Sequence, residues 1–228
     1  MKNYVLIPGA WHGAWAWQPV AQRLRAAGHR ALTLTMPGID DGDTTVRLTD
    51  AIAHITNTIR RYDLRDVVLV AHSWGGYPAT GAAHEVPDRI AEVVYVSAVV
   101  PAAGVSQLDE LPAEMGAFVG ATVAAEGVVP IDLASLQAVL MPGEPEQVQR
   151  TVHELLVPHP GHYFTDALDL PPVTEIGLTA RYVLAERDIA LAKPGAEFAA
   201  RIGVTPQPVP GGHEAMITHP DEVAEALL

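Results

Sequence analysis

Ser73 stands in the segment Ala71-His72-Ser73-Trp74-Gly75-Gly76, between the apolar run Val67 to Val70 and a stretch of helical character. A serine on a sharp turn between a strand and a helix has its hydroxyl pushed out at the top of a sheet. The residues two before and two after it must be small, because the turn crowds them together. Here they are Ala71 and Gly75. The usual pattern has glycine at both, so Ala71 adds one methyl. A serine in an ordinary glycine-rich turn would look the same over six residues; the strand before and the helix after favour a nucleophile. Pro78 falls in the first turn of that helix, where its missing N–H costs little.

A serine hydroxyl is a weak nucleophile and needs a base within hydrogen-bond reach, itself oriented by an acid. His213, in Pro210-Gly211-Gly212-His213, is the best placed of the ten histidines to be that base. Asp188, just past the run Tyr182 to Ala185, is the expected acid. Glu186 competes with it, and an aspartate there could also merely cap the next helix. Asp188 is preferred because it lies further past the strand end, where its side chain can turn toward His213. A tetrahedral intermediate also needs donors for its oxyanion. The turn Pro8-Gly9-Ala10-Trp11-His12-Gly13 offers the Ala10 N–H, which would pair with the N–H of Trp74. Losing one such donor typically costs about 2.7–4 kcal/mol in the barrier. Gly9 and Trp11 are expected to line the pocket, with Trp15 and Trp17 as core or lid-contact aromatics.

These residues can meet only if strands carry them to one edge. Apolar runs at Tyr4 to Ile7, Ala31 to Thr35, Val67 to Val70, Val93 to Ser97, Tyr182 to Ala185 and Val204 to Val209 do not alternate strictly with polar residues. They therefore read as strands buried on both faces of a parallel sheet. Between them lie helical stripes. Trp17, Val20 and Leu24 form one that Gly28 would end, and Leu48, Ile52, Ile55 and Ile59 form another after Thr44 or Thr45 as N-cap. Pro220 opens a last helix that buries Val223 and Leu227, with Asp221 and Glu222 at its positive end. The pattern predicts an α/β fold of about six mostly parallel strands with helices on both faces. The alternation fails over residues 101–172, where Gly and Pro are frequent and helices are expected at Asp132 to Leu140 and Glu146 to Leu156. This stretch reads as an inserted helical lid over a core of residues 1–100 and 173–228.

The chain has 228 residues, which suits one domain. It has no cysteine, so thiolate catalysis, disulfides and cysteine-held metals are excluded. The net charge of −13 disfavours nucleic acid and anionic lipid as partners. No apolar run is long enough to span a bilayer, and the first ten residues lack the form of a signal peptide, so a cytoplasmic protein is expected. His159 and His162 lack a carboxylate at ligand spacing, and no metal is expected there. Tyr163 and Phe164 beside them are expected lid contacts to a substrate, with core packing as the alternative.

Leu6 to Trp15, Ala26-Ala27-Gly28-His29, the Ser73 turn and Gly211-Gly212-His213 together resemble the α/β-hydrolase group that contains plant methyl esterases and hydroxynitrile lyases. The likeness is specific over about the first hundred residues and again near the end. It implies the α/β-hydrolase fold, Asp188 as acid, Ala10 and Trp74 as oxyanion donors, and His12 as a structural support of the oxyanion turn. The lyases of that group carry threonine in this turn and lysine after the histidine; Gly9 and Glu214 here favour ester hydrolysis. Pro8 and Ala71 depart from the group's commoner histidine and glycine. The expected activity is hydrolysis of a small or medium, mainly apolar carboxylic ester through an acyl-enzyme, without a cofactor. The expected partner is a small-molecule ester, with no nucleic acid and no membrane; a homodimer is compatible with the chain. The rivals are a C–C bond lyase using the same triad as general base and a non-catalytic small-molecule receptor.

Overall fold

The computed structural model describes residues 1–228. Six segments in it join as one sheet: β1 (Asn3–Ile7), β2 (Arg30–Thr33), β3 (Val67–Ser73), β4 (Ile90–Ala98), β5 (Thr179–Ala185) and β6 (Gln207–Val209). Their order is β6-β5-β4-β3-β1-β2, and every neighbouring pair is parallel. The register sets Leu6 beside Val70 and Thr33, so β1 and β3 finish at one edge.

The apolar residues of these strands divide between two clusters, one on each face. Val67, Leu69 and Ala71 of β3 join one, while Val68 and Val70 join the other. Burial of one such side chain is worth about 1.5–3 kcal/mol, so the period of two along each strand dominates its placement. The strands expected at Ala31 to Thr35 and Val204 to Val209 form as Arg30–Thr33 and Gln207–Val209.

Helices α1 (Gln18–Ala26), α2 (Leu48–Arg61) and α3 (Gly76–Glu85) alternate with the first four strands. Gly28 follows α1 at φ +86°, a left-handed conformation suited to glycine. The N-cap of α2 is not Thr44 or Thr45 but Arg47, whose backbone N–H donates to the Asp50 carboxylate at 2.7 Å. Tertiary structure decides this. The Arg47 side chain and the Leu48 N–H both bind Asp166, which fixes the first turn two to three residues later than the local sequence suggests.

Residues 101–172 lie between β4 and the strand that follows. Val105–Ser106 pairs antiparallel with Ala167–Leu168, so the segment closes on itself near its two ends. It carries α4 (Ala113–Glu126) and α5 (Glu146–Leu155). The helix expected over Asp132 to Leu140 is instead a short α-helical turn, Leu133–Ser135, continued by a π-helical turn, Leu136–Leu140. After β5 come α6 (Gly195–Ala200) and, past β6, α7 (Pro220–Leu227) with Pro220 in its first turn and Val223 and Leu227 buried. No helix is long and apolar enough to cross a membrane.

Candidate active site

Ser73 ends β3 with φ +52°, in the left-handed region that a serine adopts only under constraint. Such a conformation costs of order 1–3 kcal/mol and persists only where the surroundings impose it. The surroundings are tight. A Cβ on Gly75 would stand 2.6 Å from the Pro8 carbonyl oxygen and 2.8 Å from that of His72, so only glycine fits two residues after the serine. Two residues before it, the Ala71 methyl is buried in the core between β1 and β4, and alanine is accommodated there.

The turn after β1 lies directly against the serine. A Cβ on Gly9 would meet Ser73 Cβ at 2.8 Å and His72 Nδ1 at 2.9 Å. The backbone N–H groups of Ala10 and Trp74 donate no hydrogen bond within the chain, which leaves both expected donors free. Trp11 follows at φ +68°; its N–H donates to His159 Nδ1, its indole N–H to the Val129 carbonyl, and its own carbonyl accepts from Val157 N–H. Trp11 is therefore tied on three sides to the inserted segment as well as standing beside the turn.

On the neighbouring strands, the loops after β5 and β6 zip together: Glu186 N–H donates to the Val209 carbonyl and Arg187 N–H to that of Gly211. Gly211 takes φ +103°, which turns the chain so that His213 faces back toward Asp188. His213 Nδ1 lies 3.0 Å from each Asp188 carboxylate oxygen, and Asp188 Oδ1 also accepts the Ala190 N–H. The carboxylate of Asp188 is 1% exposed, whereas Glu186 is exposed to solvent, so the structure pairs His213 with the former. Since a carboxylate only accepts, Nδ1 carries the proton and Nε2 is left bare as an acceptor. Burial alone would lower the His213 pKa, but the Asp188 charge and hydrogen bond outweigh it and raise the value above the usual range. Burial would raise the Asp188 pKa; His213 and the Ala190 N–H hold it below the ordinary value. His72 is kept neutral by burial and by neighbouring His213 and His12, and its Nε2–H donates to the His213 carbonyl.

Tyr163 and Phe164 are both buried. The Tyr163 ring stacks on Trp74 at 4.5 Å, its hydroxyl donates to the Pro37 carbonyl, and its own carbonyl accepts the Trp74 indole N–H. Tyr163 thus supports Trp74, while Phe164 lies 6.1 Å from Trp11, ring to ring. His159, read from the sequence only as one of a weak pair with His162, is fully buried among Trp11, Trp74, Tyr163 and Phe164. Burial holds its pKa down to about 3. No local signal marks this role, because it depends on the inserted segment folding back over the turn after β1. Trp17 is core, its indole N–H on the Ile7 carbonyl.

The one grouping of three side chains with metal-ligand spacing is His72, His213 and Glu214, whose ligand atoms lie within 4.8 Å of one another. His213 Nδ1 and His72 Nε2 are already hydrogen-bonded, so an ion would compete with the contacts that orient His213. A surface cleft of about 460 Å³ beside α2, lined by Arg47, Leu48, Ile52 and Asp166, does not include Ser73.

Comparison with known proteins agrees with this architecture. A family model described as "Alpha/beta hydrolase family" matches residues 4–226. A carbendazim hydrolyzing esterase of Nocardioides sp. (strain SG-4G) is 40% identical over 116 residues, covering 49% of this chain and 48% of that protein. Methylesterase 9 of Arabidopsis thaliana is 38% identical over 109 residues, covering 44% and 41%. The chain thus matches about half the length of these curated relatives. Among solved structures, an extracellular alpha/beta-hydrolase from a Paenibacillus species superimposes with a TM-score of 0.93 at 24% identity, over 100% of this chain and 98% of that one. Polyneuridine aldehyde esterase superimposes with a TM-score of 0.80 at 19% identity, over 100% and 98%.

Proposed function

Because the chain belongs to the alpha/beta hydrolase family, we propose that it is a serine esterase acting on a small or medium, mainly apolar carboxylic ester. The observation that carries this reading is the 3.0 Å contact of His213 Nδ1 with Asp188, which leaves Nε2 free to act as a base at the sheet edge where Ser73 is held in a left-handed turn. Ser73 Oγ attacks the acyl carbon and its proton passes to His213 Nε2. The Ala10 and Trp74 N–H groups, unengaged within the chain, bind the oxyanion. Collapse breaks the acyl–alkoxide bond, and His213 gives its proton to the departing alkoxide. Water, deprotonated by His213, then attacks the acyl-enzyme and releases the acid and Ser73. Asp188 stays ionised throughout and holds the imidazole.

In this reading residues 101–172 cover the site, and Trp11 with Phe164 supplies its apolar wall. The relatives named as esterases support ester cleavage at this level. Incubation with p-nitrophenyl acetate tests it: wild-type turnover should fall at least about 1,000-fold in Ser73→Ala. Failure of the wild type to turn over any acyl ester contradicts it, as does undiminished turnover by the variant.

A further inference from the structure

Behind His213 lies a second polar cluster that ester cleavage as described does not use. Glu214 is 2% exposed, and its Oε2 stands 3.4 Å from Nε2 of His12, which is equally buried. The contact is long for a hydrogen bond, and neither Glu214 oxygen nor His12 Nε2 has another partner in the chain. His12 Nδ1 lies 2.6 Å from the Ala10 carbonyl oxygen. A carbonyl only accepts, so Nδ1 carries a proton. The other nitrogen then faces the carboxyl group either as N–H against a carboxylate or bare against a protonated acid. A buried carboxyl group left without a partner is unfavourable, so the Glu214 side chain and the His12 ring are held against each other.

This places a buried polar contact between two parts of the site that come from opposite ends of the chain. At one end it grips the carbonyl of Ala10, whose N–H faces the oxyanion position. At the other it holds the residue directly after His213. We propose that His12 and Glu214 form a buried polar couple that positions the oxyanion turn relative to His213.

The titratable groups facing the couple are His72 from the end of β3, His213 with Asp188 behind it, and His159 from the inserted segment. His72 and His159 are buried and neutral, with Nε2 of the first and Nδ1 of the second already hydrogen-bonded. His213 titrates on the acid side of the profile, because the base must be neutral to act. The roles are positional: neither His12 nor Glu214 touches the reacting atoms.

The proposal rests on the esterase reading of the same site. It is tested by measuring kcat and KM for p-nitrophenyl acetate from about pH 6 to 10, with Ser73→Ala as the background, in wild type, Glu214→Ala and Glu214→Gln. The glutamine amide keeps the size of the Glu214 side chain and can donate to His12 Nε2. Glu214→Ala should lower kcat about 10- to 100-fold, the scale of a small misplacement in an active site, with KM within about twofold. Glu214→Gln, which keeps the length and a polar contact to His12, should recover most of that loss. Glu214→Gln turnover no better than that of Glu214→Ala, or a loss seen in KM instead of kcat, overturns the couple. So does Glu214→Ala turnover equal to wild type; if that variant does not fold, a Glu214→Gln kcat more than about tenfold below wild type overturns the couple. Absence of Ser73-dependent turnover in the wild type would instead overturn the esterase reading and the couple with it.

Discussion

At Gly9 a single methyl separates a working turn from an obstructed one, since its Cβ would sit 2.8 Å from Ser73 Cβ. Gly9→Ala should therefore lower kcat about 100-fold through displacement of the nucleophile while the thermal midpoint moves little; equal losses in both would contradict this. The base sets the acid side of the pH profile. Burial lowers the His213 pKa, but Asp188 reverses that and raises it, so kcat/KM should rise with pH through a midpoint above the usual histidine value. In Asp188→Asn the midpoint should move down and kcat should fall about 10,000-fold, as measured by the pH-rate profile. Of these residues, Ser73, His213 and Asp188 are legible in the sequence because each follows an apolar strand at its carboxyl end. His159 and the Glu214–His12 contact are not, because each depends on side chains from remote segments meeting under the turn after β1.

The element that orients Ser73 is α3, which packs so closely on the chain after β4 that no side chain fits at its first residue. A Cβ on Gly76 would lie 1.8 Å from the backbone oxygen of Val99, an atom that cannot rotate away. Gly76→Ala should cost about 3 kcal/mol or more, seen as a lower urea midpoint at an unchanged slope. A midpoint within experimental error of wild type would show that this packing is looser than described. The six strands are legible because burial on both faces leaves continuous apolar runs, with bounds moved by one to three residues. Helix α4 is not singled out by its sequence: its apolar residues run all round, and Met115 and Phe118 face solvent with only Val119 buried. The start of α2 is misread for another reason, since its cap is supplied by Asp166, more than a hundred residues away.

At the scale of the molecule, the inserted segment is fastened to the sheet core through a buried carboxylate. Glu110 receives Lys193 Nζ and both terminal nitrogens of Arg201, and Arg201 also donates to the Val100 carbonyl. Burial alone would raise the Glu110 pKa, but these partners hold it below the ordinary value. A lowered pKa in the folded state means the pairing stabilises above the ordinary glutamate pKa and is lost as pH falls through the lower, folded value. Glu110→Gln should thus cost about 2 kcal/mol at neutral pH, with the gap to wild type narrowing in acid, in denaturant titrations at both conditions. A gap independent of pH would contradict this. The architecture as a whole is legible because strand, helix and strand alternate in the sequence. The internal form of residues 101–172 is not, since its short pairings, such as Val128–Val129 with His159–Pro160, carry too little pattern to be read locally.

The most direct test of the central claim is intact-mass and peptide analysis after treatment with a fluorophosphonate, which reacts with a serine only when a base and an oxyanion site activate it. The account predicts one adduct, on Ser73, with esterase turnover lost in proportion to labelling and no adduct in Ser73→Ala or at low pH, where His213 is protonated. An unlabelled Ser73 in an enzyme that still cleaves esters, or an adduct elsewhere that abolishes turnover, would contradict it.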